Sequence, residues 1–92
     1  MNSIFTQKAW AEYLAWQIKD KKTLKRINLL LAEIKQNGTD DKLEELQVSK
    51  GKNCYSKRID DKNRLIYNFN ENGDVEIISC KGHYKIWEYK IY

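Results

Sequence analysis

Three β-prone runs crowd the second half of the chain: Cys54 to Ile59, Arg64 to Phe69 and Val75 to Cys80. Only Asp60-Asp61-Lys62-Asn63 and Asn70-Glu71-Asn72-Gly73-Asp74 separate them. A parallel crossover needs a dozen or more residues, so neighbours joined this tightly must run antiparallel. Asn72-Gly73 is a strong tight-turn signal. The second half is therefore an antiparallel meander. Period-two alternation sets Leu65, Tyr67 and Phe69 on one face and Arg64, Ile66 and Asn68 on the other. On the preceding strand, Arg58 shares a face with Ser56 and Cys54.

The first half reads as helix. Ser3-Ile4-Phe5 is a short strand, after which Thr6 caps a helix over Gln7 to Lys19. Trp10, Tyr13, Leu14 and Ile18 recur at helical spacing, with Ala9 and Trp16 beside them, and predict the core face. Asp20 caps a second helix running to about Gln36. Its stripe is Leu24, Ile27, Leu31 and Ile34, widened by Leu30, while lysines fill the other faces. Asn37-Gly38 ends it, the glycine free to turn left-handed. With almost no connector the two helices form an antiparallel hairpin. Thr39 to Asn53 is polar and irregular, broken by Leu43, Leu46 and Val48. The expected fold class is α+β, a helical hairpin covering one face of a small, mainly antiparallel sheet. Ninety-two residues suffice for one domain, 1–92.

The formal net charge of +4 suits an RNA, DNA or acidic protein partner. Met1-Asn2-Ser3-Ile4-Phe5 lacks a basic start, and no apolar run follows it, which predicts a cytoplasmic protein. No stretch approaches the ~20 apolar residues of a membrane span. Cys54 and Cys80 lie in expected strands, without a C-x-x-C knuckle, and read as reduced, half-buried thiols.

His83 is the only histidine, in Cys80-Lys81-Gly82-His83-Tyr84, downstream of Arg58 and Arg64. Such a basic cluster suits cleavage of an RNA phosphodiester without metal or cofactor. The ribose 2′-OH attacks the neighbouring phosphate. The site must supply a base for the 2′ proton, an acid for the departing 5′ oxygen, and cations for the phosphate. A histidine fits the acid role because its pKa lies near neutrality. One histidine excludes a two-histidine mechanism within the chain, leaving a carboxylate, tyrosine, lysine or external group as base. Glu44 and Glu45 are the carboxylates preceding the meander; Lys42 to Leu46 reads equally as a solvated turn of helix. Arg58 and Arg64 offer planar forks to phosphate, or are ordinary surface arginines. Tyr84 offers a stacking face.

These segments carry a resemblance. Ala9-Trp10-Ala11-Glu12-Tyr13-Leu14-Ala15-Trp16-Gln17, Tyr55-Ser56-Lys57-Arg58-Ile59, Asn63-Arg64-Leu65-Ile66-Tyr67 and Ile78-Ser79-Cys80-Lys81-Gly82-His83-Tyr84 together resemble the YoeB/Txe branch of the RelE-like bacterial toxins. The resemblance spans nearly all of residues 1–84. It implies an mRNA endonuclease of a toxin–antitoxin pair, acting in the ribosomal A site without metal. A cognate antitoxin of YefM or Axe type would hold it inactive. On that pattern Glu44 matches the general base, Arg64 the phosphate-binding arginine, Arg58 a second basic contact, His83 the general acid and Tyr84 the tyrosine beside it. Lys57 joins the basic substrate-binding set.

The chain departs from the family pattern in three places. A family lysine would fall at Gln47; Lys50 or Lys52 stands in for it. Val48 to Asn53 is one residue longer than typical, which leaves Glu44 and Glu45 both open as base. Many members end at the tyrosine, whereas this chain continues through residues 85–92. In that extension Trp87, Tyr89 and Ile91 alternate with Glu88 and Lys90, as an edge strand or as a surface for antitoxin, ribosome or a second toxin copy in a homodimer. A ParE-like gyrase inhibitor and an inactive antitoxin-binding homologue are the alternative functions on such a scaffold.

Overall fold

The computed structural model describes residues 2–37, 44–47 and 53–82. In chain order these form β1 (Ser3–Phe5), α1 (Gln7–Lys19), α2 (Lys21–Asn37), β2 (Glu44–Gln47), β3 (Asn53–Arg58), β4 (Arg64–Phe69) and β5 (Val75–Ser79). The sheet order is β1-β5-β4-β3-β2. The β5/β4, β4/β3 and β3/β2 pairs are antiparallel, whereas β1 runs parallel to β5 with Ser3 opposite Val75 and Phe5 opposite Ile77. The expected α+β architecture, helices on a mainly antiparallel sheet, is what is observed.

Local chemistry accounts for the element ends. Thr6 accepts from the Ala9 N–H through its hydroxyl at 3.1 Å and starts α1. Asp20 is the whole connector between the helices. Its N–H donates to the Trp16 carbonyl, closing α1, and its carboxylate accepts from Lys22 N, Thr23 N and Thr23 Oγ1, opening α2. The β4–β5 turn is organised by Asn70, whose Oδ1 accepts from the N–H groups of Asn72 and Asp74. Gly73 takes φ 80° there, a conformation that favours glycine.

The core lies between the helices and the inner sheet face. Ala9 and Trp16 of α1, and Ile27, Leu30 and Ile34 of α2, close over Leu65, Tyr67, Val75 and Ile77. The α2 stripe follows its sequence pattern. α1 does not: Trp10 is 48% exposed, Leu14 40% and Ile18 90%. The helix is turned so that Ala9, Glu12, Tyr13 and Trp16 face inward. Ala9 permits close approach to the sheet, and Trp16 needs an inward acceptor for its indole N–H. Trp10 still serves β1, forming with Phe5 and Tyr13 a cluster of ring centroids 5.2–5.8 Å apart.

Glu44–Gln47 is neither irregular nor a turn of helix. It is a strand, pairing Glu44 with Ser56, Glu45 with Tyr55, Leu46 with Cys54 and Gln47 with Asn53. Four residues carry too little pattern to announce themselves; pairing with β3 defines the strand. Gly38 lies outside the described residues.

Cys54 and Cys80 are buried and unbridged. Burial foremost, then the nearby Glu12 carboxylate, pushes the Cys80 thiol up to about 12, from an ordinary value of 9.0. At neutral pH it carries no appreciable thiolate. Iodoacetamide should therefore label both cysteines in urea and at least ~100-fold more slowly in the native protein, as for groups reached only by opening the core. Mass spectrometry of the alkylated protein reads this directly.

The Asp20 carboxyl is held below its ordinary 3.8, chiefly by the Thr23 hydroxyl and then by the Thr23 N–H. A carboxyl with a lowered folded-state pKa stabilises the fold above its unfolded value and loses that effect as pH falls through the folded value. Asp20→Asn keeps an acceptor for the cap but removes this titration. Its urea midpoint should therefore fall less steeply below pH 3.8 than that of the wild type.

Candidate active site

The site grows from the end of β5. One extra residue on β5 interrupts the β4–β5 register: Tyr67 pairs with Ile77, but Ile66 pairs with Ser79. The ladder stops at Ser79, and the chain bends through Cys80, Lys81 and Gly82. Backbone groups leaving a ladder need new partners. α1 supplies them for Cys80. Its N–H donates to Glu12 Oε1 at 3.0 Å, and its carbonyl accepts from Trp16 Nε1 at 2.9 Å. Ser79 Oγ lies 3.0 Å from the same Glu12 oxygen, and Lys8 Nζ stands 3.7 Å from the other. The β3–β4 turn supplies partners for Gly82. Its N–H donates to Asn63 Oδ1 at 2.9 Å, and its carbonyl accepts from the Arg64 N–H at 3.0 Å. Gly82 has φ 94°, and a Cβ there would meet nothing within 4 Å. Conformation, not space, selects glycine at this bend.

The β3–β4 turn is itself braced. Asp60 Oδ1 accepts from Lys62 N and Asn63 N at 2.8 Å each, and from Asn63 Nδ2 at 3.0 Å. Burial raises the Asp60 pKa, but these hydrogen bonds outweigh it, and the carboxyl sits below the usual range. An ionised Asp60 fixes the Asn63 amide so that its oxygen faces Gly82.

Arg58 and Arg64 are cross-strand partners. Like charges directly opposite repel, and each arginine has found relief. Arg58 forms an ion pair with Asp61 and is 63% exposed. Arg64 is half-buried and donates from Nε to Ser56 Oγ at 3.1 Å. Cys54, Ser56 and Ile66 on this face are buried, so the two arginines flank covered side chains rather than an open floor. Lys57 alternates to the helix side, 3.9 Å from Glu33, and does not join the arginines. Position 44 lies across the ladder from Ser56, and position 45 from Tyr55. Lys50, Lys52, His83, Tyr84 and residues 85–92 lie outside the described residues. The described chain closes at Gly82, one residue before His83.

Glu12, Trp16, Ser56, Asp60 and Asn63 take roles around the site that the sequence does not assign to them. Two signals were available. A glutamate at position 12 shares a helix face with Ala9 and Trp16, three and four residues away, which is an unusual place for a charge. Asp60-x-x-Asn63 between strands is a side-chain-capped turn.

Comparison with known proteins agrees with this layout. Residues 5–84 match the family model described as the YoeB-like toxin of bacterial type II toxin-antitoxin system. The chain is 40% identical to Toxin YoeB of Synechocystis sp. over 87 residues, covering 92% of this chain and 99% of the relative. Among solved structures it resembles the YoeB dimer from Staphylococcus aureus, with a TM-score of 0.76 and 35% identity, covering 91% of this chain and 98% of that one. It also resembles the heterotetrameric YoeB-YefM toxin-antitoxin complex from Staphylococcus aureus, with a TM-score of 0.74, 34% identity and the same coverage. With a matching architecture, a matching order of segments and a family model spanning residues 5–84, the chain belongs to the YoeB-like toxins of bacterial type II toxin–antitoxin systems.

Proposed function

We propose that this toxin is a ribosome-dependent mRNA endonuclease that cuts translated message in the A site, through attack of a ribose 2′-OH on the adjacent phosphate. The observation that carries the reading is the junction at Arg64. Its side chain is half-sunk and steadied by Ser56, while its backbone N–H holds the carbonyl of the residue preceding the sole histidine.

In this reading Glu44 takes the 2′ proton as the 2′ oxygen bonds to phosphorus. The register supports Glu44 over Glu45, because position 44 faces Ser56 across the ladder whereas position 45 faces Tyr55, which packs against the core. Arg64 balances the charge building on the phosphoryl oxygens. His83 gives its proton to the departing 5′ oxygen, leaving a 2′,3′-cyclic phosphate and a free 5′-OH. Arg58 adds a second positive charge at the strand end once substrate phosphate competes with Asp61. Tyr84 supplies a stacking face, and Lys50 and Lys52 supply further cations. Lys57, engaged with Glu33 on the helix side, takes no part.

The relatives point to partners. The Staphylococcus aureus relatives occur as a dimer and as a complex with YefM. We assign this chain a YefM-like antitoxin and keep self-association among its states. Translated mRNA as substrate places it in the cytoplasm. Among the described residues no helix is long and apolar enough to cross a membrane.

Cell-free translation with mapped RNA 5′ ends tests the reading. Wild type should cut inside translated codons only when ribosomes engage the message. His83→Ala and Glu44→Gln should each lower cleavage ~10²- to 10⁴-fold, the usual worth of a general acid or base. Arg64→Ala should lower it ~10²- to 10³-fold, as for loss of a charge-stabilising donor. Three folded variants that cleave at the wild-type rate would sink the mechanism. Inhibition of gyrase supercoiling without cleavage would replace it with the ParE-like alternative.

A further inference from the structure

We propose that Glu12 is a positioning residue for the cleavage reaction: with Trp16 it fixes the turn that immediately precedes His83. This inference rests on the endonuclease reading above. The Cys80 peptide has left the sheet ladder, and α1 alone supplies its described partners. Glu12 takes the N–H and Trp16 takes the carbonyl, at 3.0 and 2.9 Å. The far end of the turn is held by Asn63 and the Arg64 N–H through Gly82. The turn is thus clamped between α1 and the strand that bears Arg64. A shift of Cys80 moves the chain entering residue 83 relative to Arg64.

Packing alone does not require a carboxylate here. The Glu12 side chain is only 15% exposed, and a charge so placed is costly unless it is hydrogen-bonded or paired. Its Oε1 reaches both the Cys80 N–H and Ser79 Oγ, while Lys8 faces Oε2. One acceptor oxygen thereby holds the last residue of β5 and the first of the bend. Misplacement of a reacting group by about 1 Å costs ~10²-fold in rate, so a clamp of this kind acts on the chemical step rather than on substrate affinity.

The test separates rate from affinity on programmed ribosomes. Glu12→Ala should lower the single-turnover rate ~10²-fold at saturating ribosomes, while half-saturation moves by less than ~3-fold. Glu12→Gln retains the acceptor oxygen and should recover the rate to within ~5-fold of wild type, because the clamp works by hydrogen bonding. Trp16→Phe removes only the indole N–H and its surrounding ring, and should lower the rate ~10-fold by the same route. His83 is the only histidine, so its imidazole NMR signals are unambiguous and report on the clamp without ribosomes. They should shift and broaden in Glu12→Ala and stay in place in Glu12→Gln. Wild-type rates and unmoved His83 signals in folded Glu12→Ala and Trp16→Phe overturn the proposal. So does a Glu12→Gln protein as impaired as Glu12→Ala. If His83→Ala itself cleaves normally, the endonuclease reading has failed. If His83→Ala is dead and Glu12→Ala intact, only the positioning role has failed.

Discussion

Cys80 is held on three sides by a single helix. Glu12 accepts from its N–H, Trp16 donates to its carbonyl, and its thiol packs 3.7 Å from the Ala9 carbonyl. Those contacts set the rotation of α1, because Ala9, Glu12 and Trp16 must all face the end of β5. The rotation then leaves Trp10, Leu14 and Ile18 toward the outside, despite their apolar character. It also explains why the sheet carries an extra residue beside Ile66. The bulge turns the end of β5 out of the ladder and toward the helix. The grip on Cys80 acts together with the packing of Ala9, Tyr13 and Trp16 to hold α1 on this face.

The architecture has a locally encoded part and an imposed part. The two helices and the meander follow from local preference: Thr6 and Asp20 as caps, Asn70 and Gly73 in the turn, alternation along β4. These features agree at every level, and such agreement is what makes an element readable from one chain. The strand at Glu44–Gln47 and the facing of α1 are different. A four-residue strand exists because β3 offers an edge, and a helix with apolar residues almost all round settles its facing by the polar partners it must satisfy. Neither partner is visible from local pattern.

The site divides in the same way. Arg58 and Arg64 stand out in the sequence as charged residues on strands, whereas Glu44 is singled out by the family resemblance and not by any strand pattern. Their surroundings do not stand out. Ser56 looked like a neutral neighbour, yet it steadies Arg64. Lys57 looked equivalent to Arg58, yet a one-residue step in a strand sends it to the opposite face, where Glu33 waits. Asp60 and Asn63 looked like a connector, yet they hold the last described residue. Chemistry-bearing residues are legible by type. The residues that aim them are ordinary by type and special only in place.

The parallel pairing of β1 with β5 joins Ser3 to Val75 and Phe5 to Ile77, linking the start of the chain to its last described strand. Loop closure over that span is paid for only when β5 exists to receive it. On a ribosome the C-terminal stretch emerges last. Until residues 80 and 82 have been made, α1 has no Cys80 to grip and Arg64 has no Gly82 to hold. Assembly of the junction waits until β5 and the Cys80–Gly82 bend have been made. A topology that sets β1 beside the last described strand therefore doubles as a timing device, giving the nascent molecule an interval in which the junction does not yet exist.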